Sequence, residues 1–117
     1  MLTVSLNNEA KSKYSYLEGI YELTPDLHLG YPKWKIRGGN HEIESVSNIW
    51  YIRPDGTNDG INTEGQPKAN VKMPDDPNYK WHIYDGQTYV ETASGNVKIH
   101  GTYDNFFPKI VSNDYLL

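Results

Sequence analysis

Asn48-Ile49-Trp50-Tyr51-Ile52-Arg53 is the stretch on which the fold turns. Bulky and β-branched side chains fill its centre, and no polar residue interrupts Ile49 to Ile52. A short apolar run of this kind, bounded by turn chemistry, reads as a strand covered on both faces and therefore central. Pro54-Asp55-Gly56-Thr57-Asn58-Asp59-Gly60 follows at once and is the most turn-rich segment of the chain. It runs on through Asn62-Thr63-Glu64-Gly65-Gln66-Pro67 with only Ile61 apolar, which predicts a long loop.

Working outward, the two-residue period of strands recurs on both sides. Leu2, Val4 and Leu6 alternate with Thr3 and Ser5. Tyr14-Ser15-Tyr16-Leu17 and Ile20-Tyr21-Glu22-Leu23 flank Gly19, where an isolated glycine suggests a bulge or a close backbone approach. Thr24-Pro25-Asp26 reads as the end of that strand. Trp34 and Ile36 alternate with Lys33, Lys35 and Arg37, and Gly38-Gly39-Asn40 turns after them. Ile43, Ser45 and Val46 read as a short link. Ala69, Val71 and Met73 give a further strand before the stiff turn Pro74–Asn78. Tyr79, Trp81 and Ile83 alternate up to the hairpin signal Asp85-Gly86, Thr88 to Thr92 returns, and Val97 and Ile99 close the series. Phe106 to Leu117 is apolar enough to dock on the body. No pattern of three helical turns appears. Eight or nine short strands with turns every 8–12 residues predict an all-β fold, a single small antiparallel sandwich or barrel over residues 1–117.

Composition narrows the function. Net charge is -4, which disfavours nucleic acid and anionic membranes as partners. No apolar run approaches the ~20 residues of a membrane helix, so membrane insertion is not expected. Met1 leads straight into Leu2-Thr3-Val4 without the basic start of a signal peptide, as in a cytosolic chain or a trimmed mature domain. The absence of cysteine removes disulfides, thiolate metal sites and Cys nucleophiles together. Ten of the fifteen aromatics are Tyr, a residue suited to half-exposed strand faces and binding surfaces.

Gly19-x-Tyr21, Gly30-Tyr31-Pro32-Lys33-Trp34-Lys35, Ile49-Trp50-Tyr51, Pro77 and Trp81 fall in an order that resembles a poorly characterised β module. That module occurs singly or in tandem in surface, secreted and matrix-type proteins of marine invertebrates, algae and protists. The resemblance covers about residues 19 to 92. It departs at Gly60-Ile61-Asn62, where the module has a further Trp-containing strand. The resemblance implies an extracellular, non-catalytic role in structure or interaction.

Few residues form a local constellation. Asp55-x-Thr57-x-Asp59-Gly60 resembles the first half of a calcium loop, with Asp55, Thr57 and Asp59 as oxygen ligands. Gln66 stands where the bidentate Glu belongs, so a plain polar turn is the reading to beat. His28, His41, His82 and His100 are scattered, without zinc-motif spacing. Glu18, Glu22, Glu42, Glu44 and Glu91 carry no local motif that marks a catalytic pair. Candidate ligand contacts are the aromatics Tyr31, Trp34, Tyr51, Tyr79 and Tyr84. Core packing is the competing use, and the favoured one for Trp34, Trp50 and Trp81, which sit mid-strand. Tyr14, Tyr16, Tyr84, Tyr89 and Tyr103 are the expected surface aromatics. The expectation is a non-catalytic structural or protein-interaction module with another protein or its own copies as partner. A carbohydrate-binding module with exposed aromatics is the alternative. Unpaired strand edges offer a further route to partners.

Overall fold

A computed structural model describes residues 1–54, 57, 59–64 and 73–102. Alternation at Leu2, Val4 and Leu6 makes β1 (Leu2–Leu6), which buries those three side chains. The chain then forms a short helix, α1 (Asn8–Tyr14), and a single 3-10 turn at Ser15–Leu17. This corrects the reading of Tyr14–Leu17 as a strand. Ala10, Tyr14 and Leu17 are spaced at helical intervals and are all buried.

From Gly19 onward the chain is a meander. It comprises β2 (Gly19–His28), β3 (Tyr31–Ile36), β4 (His41–Val46), β5 (Ile49–Pro54), β6 (Ile61–Asn62), β7 (His82–Tyr84) and β8 (Tyr89–Glu91). Each pairs antiparallel with the next. β9 (Val97–Gly101) returns to the far side of β1 and pairs with all five of its residues. Among the described residues the sheet has nine strands, in the order β8-β7-β6-β5-β4-β3-β2-β1-β9, curled into a half-barrel. The fold is all-β, and β5 lies inside the sheet as its sequence predicts.

Two other expectations need correcting. Ile43, Ser45 and Val46 are not a link. They belong to β4, which pairs along six positions with β5. The segment reads as polar because Glu42 and Glu44 alternate with Ile43, yet both glutamates are buried against cations. Thr24-Pro25-Asp26 does not end its strand either. β2 continues to His28 through a bulge, where Leu23 pairs with Trp34 and Leu27 with Pro32. The expected strand at 69–73 lies outside the described residues except for Met73, and so do Tyr103 and the stretch Phe106–Leu117.

The concave face carries the core. Cross-strand partners share a face, so Trp34, Ile43, Ile52, Ile61 and Ile83 form one row through the registers of β3 to β7. Trp34 and Trp50 meet edge to face with centroids 5.8 Å apart, and each is only 1% exposed. α1 supplies Ala10 and Tyr14 to the same cluster. Tight two-residue turns hold the hairpins. Leu29 and Gly30 (φ 52 and 86) join β2 to β3, and Ser47 and Asn48 (φ 54 and 65) join β4 to β5. Both pairs are left-handed, which matches the twist of the flanking strands.

Gly19 (φ 147) opens β2 in plain register with Val4, without the bulge its sequence suggests, and a Cβ there would come within 3.0 Å of the Ile36 side chain on β3. Gly60 is tighter still. A Cβ there would run into the Ile52 carbonyl oxygen and Arg53 as the chain crosses from β5 to β6. Gly60→Ala is therefore expected to lower stability by about 1–3 kcal/mol, read as a shift of the urea midpoint.

Candidate functional site

A cleft of about 490 Å³ opens where the end of β8 approaches the start of β9. Pro74–Trp81 form one wall, and Glu91–Gly95 with Val97–Ile99 form the other. Its size is that of a ligand site. The first wall is wound by local bonds. Asp76 Oδ1 accepts from the Asn78 amide at 2.8 Å, and the Asp76 amide donates to the Met73 carbonyl at 3.0 Å. That turn delivers Tyr79 against Trp81, ring to ring at 6.1 Å with planes 63° apart.

The second wall hangs on the start of α1. The Thr92 amide donates to the Trp81 carbonyl at 2.9 Å, and the Thr92 hydroxyl donates to Glu9 Oε1 at 2.8 Å. Asn96 Nδ2 donates to Thr92 Oγ1, while Asn96 Oδ1 accepts from Asn8 Nδ2 at 2.8 Å. The Asn7 amide closes the set on the Asn96 carbonyl. Asn96 is 3% exposed with both ends of its amide engaged, so this segment is fastened. Carboxylates (Asp75, Asp76, Glu91) and ammonium groups (Lys80, Lys98) share the lining. Asn7, Asn8, Glu9, Thr92 and Asn96 are not among the site residues that the sequence suggests; Thr92 reads there only as the end of a strand. The only local sign was the Asn-Asn-Glu run before Ala10.

The predicted aromatics fall into separate places. Tyr79 lines the cleft, half-buried. Tyr31 donates its hydroxyl to Asn48 Oδ1 at 2.7 Å and packs on the edge of Trp50. Trp34 is sealed in the core, which removes it as a stacking platform for a ligand. Trp50 is sealed likewise, and Trp81 is 7% exposed. Tyr51 and Tyr84 are brought together through Tyr89, at centroid distances of 6.0 and 5.1 Å. Burial, then Tyr51, pushes the Tyr89 phenol above the usual tyrosine range. Tyr14, expected at the surface, is 5% exposed because it faces the core from α1.

Beside Tyr51 runs a polar strip on the outer face of β3 to β5. Lys33 Nζ lies 2.8 Å from Glu42, and Glu44 takes Arg53 at 3.2 Å and His28 at 3.5 Å. The Arg53 guanidinium stands 4.3 Å over the Tyr51 ring. Both buried carboxylates are thus taken up by cations.

Of the calcium-type residues, Asp55 lies outside the described residues. Thr57 donates its hydroxyl to the Pro54 carbonyl at 3.1 Å. Asp59 is exposed, yet its Oδ1 lies 2.6 Å from the Tyr14 hydroxyl, which also lies 2.6 Å from the Tyr84 carbonyl. The histidines stay apart: His28 sits on Glu44, His41 against the Tyr16 ring, His82 near the Lys80 carbonyl and His100 exposed on β9. Among the described residues, no three His, Cys, Asp or Glu side chains gather to hold a metal.

Tyr14 ties α1 to both the β5–β6 connection and the end of β7. Tyr14→Phe is expected to cost about 1–2 kcal/mol in denaturant unfolding, because two oxygens lose their shared partner. The fold is also expected to fail in alkali. Burial raises the phenols of Tyr14 and Tyr21 above the usual range, and for Tyr14 the Asp59 carboxylate adds to the effect. A raised folded value gives stability that is complete below the free tyrosine value, about 10, and is lost as pH climbs past it. Melting temperature should fall there, and the absorbance of these phenolates should appear together with unfolding. Compared with protein families, with curated proteins and with solved structures, the chain matches none.

Proposed function

We propose that this chain is a non-catalytic structural or protein-interaction module whose recognition surface is the cleft between Pro74–Trp81 and Glu91–Ile99. One observation carries the reading. The cleft is flanked by β8 and β9, the two outermost strands, and neither has a partner on its outer side among the described residues. Strand edges of this kind are the usual route by which a small sheet gains a protein partner. The pairing of Glu42 and Glu44 with cations on the outer face speaks against that buried pair as an acid and base. The resemblance to a matrix-type β module adds an extracellular assembly as the setting.

A second reading, carbohydrate binding, is favoured by Tyr79 on the cleft wall beside Trp81 and by the polar lining. Sugar rings stack on such an aromatic while hydroxyls bond the rim.

Light scattering of the purified chain over a concentration series, joined to Trp emission with protein and oligosaccharide ligands, separates the two. The interaction reading expects mass growth or a protein-induced emission change that Tyr79→Ala abolishes in a chain that still folds by circular dichroism. A monomer at every concentration that responds to oligosaccharide alone transfers the site to the second reading.

A further inference from the structure

Taking the cleft as an interaction surface, we infer that its occupant is an extended segment of another polypeptide, alternating apolar with acidic residues, laid along β9 in the antiparallel sense as a tenth strand. The inference rests on direction, hydrogen-bond phase and charge.

Direction comes first. Every pairing from β1 to β8 is antiparallel, and seven reversals leave β8 opposed to β1. β9 also opposes β1. The two edges of the half-barrel therefore run the same way. They cannot join each other in the antiparallel pattern of the rest of the sheet, whereas one strand of opposite direction suits both. Nine is an odd number, and an all-antiparallel ring closes only on an even one.

The phase of the hydrogen bonds fixes which groups are on offer. The Asn7 amide donates to Asn96, and the Thr102 amide to Met1. Antiparallel bonds alternate, so Lys98 and His100 also turn their backbone toward β1. Val97, Ile99 and Gly101 turn theirs outward, where no described strand pairs with them. On β8 the Asp85 amide donates to Thr88 and the Thr92 amide to Trp81, which by the same alternation turns Tyr89 and Glu91 outward.

Side chains set the chemistry of the occupant. Val97 is buried and Ile99 packs against the core, so that side asks for apolar residues. Lys98 and His100 point the other way and are exposed. A neighbouring strand meets them with the alternate set of its side chains, and carboxylates complement them.

The test uses the full chain and a synthetic octapeptide alternating Val and Glu, with a Val/Lys octapeptide as control. Amide exchange is followed by NMR. The expected result is slowed exchange at Val97, Ile99 and Gly101 with the Val/Glu peptide, and binding weakened about tenfold by the surface pair K98E/H100E. That pair should reverse the preference toward the Val/Lys peptide while leaving the melting temperature in place. Slow exchange of these three amides in the free chain would overturn the proposal, because the edge would then be covered from within. Protection that appears only as the mass doubles would overturn it in favour of a second copy. A shift at Trp81 without protection on β9 sinks the tenth strand alone. No response at Trp81 or β9 to any protein ligand sinks the interaction reading with it.

Discussion

Asn96 holds the architecture at its most demanding point. A meander of short strands has no intrinsic reason to bring its last strand back beside its first. Here the connection between β8 and β9 crosses that distance, and its course is set by the amide of one asparagine. That amide binds Thr92 on one side and Asn8 on the other, while the backbone carbonyl takes the Asn7 amide. The start of α1 is thereby fixed to the end of the sheet. The same helix reaches with Tyr14 to Asp59 and Tyr84 at its other end. The second wall of the cleft hangs on this brace.

The brace explains how three tryptophans are used. A curled single sheet has one concave face, and among the described residues no second sheet covers it. Seven helical residues are a small cover, so the sheet fills its own hollow with large side chains. Trp34 and Trp50 remove more surface from water than any aliphatic pair at the same two positions. Tyrosine serves both places. Tyr31 and Tyr84 lie half-buried with their hydroxyls on Asn48 and on the Gly86 carbonyl, while Tyr14 and Tyr21 sit in the core with theirs on Asp59 and on the Leu17 carbonyl.

Much of the fold was written in local pattern. Alternation at Leu2–Leu6, the apolar centre Ile49–Ile52 and the Asp85-Gly86 hairpin all gave strands where strands exist. β4 was not legible, since a Glu-Ile-Glu-Ser sequence is polar until Lys33 and Arg53 come beside it, and those partners arrive from other strands. α1 was missed for a different reason. Its buried set is only Ala10 and Tyr14, with Leu17 in the 3-10 turn that follows, and Tyr14-Ser15-Tyr16 mimics the two-residue period. The cleft was half legible. Tyr79 stood out as an aromatic before a Trp, while Thr92 and Asn96 gain meaning only through contacts more than eighty residues away in sequence.

The pairing of β1 with β9 sets an order of events during synthesis. β2 to β6 follow one another through short connections, as do β7 and β8, and can zip as they emerge with little loop entropy to overcome at each step. β1 is made first and finds β2 early. Its other edge, beside Leu2, Val4 and Leu6, has to wait until residues 97–101 leave the ribosome. Until then the nascent chain presents that apolar strand with a bare margin, the condition under which unfinished chains aggregate or recruit chaperones. A substitution in β9 would thus act on the yield of folded protein before it acts on the finished molecule.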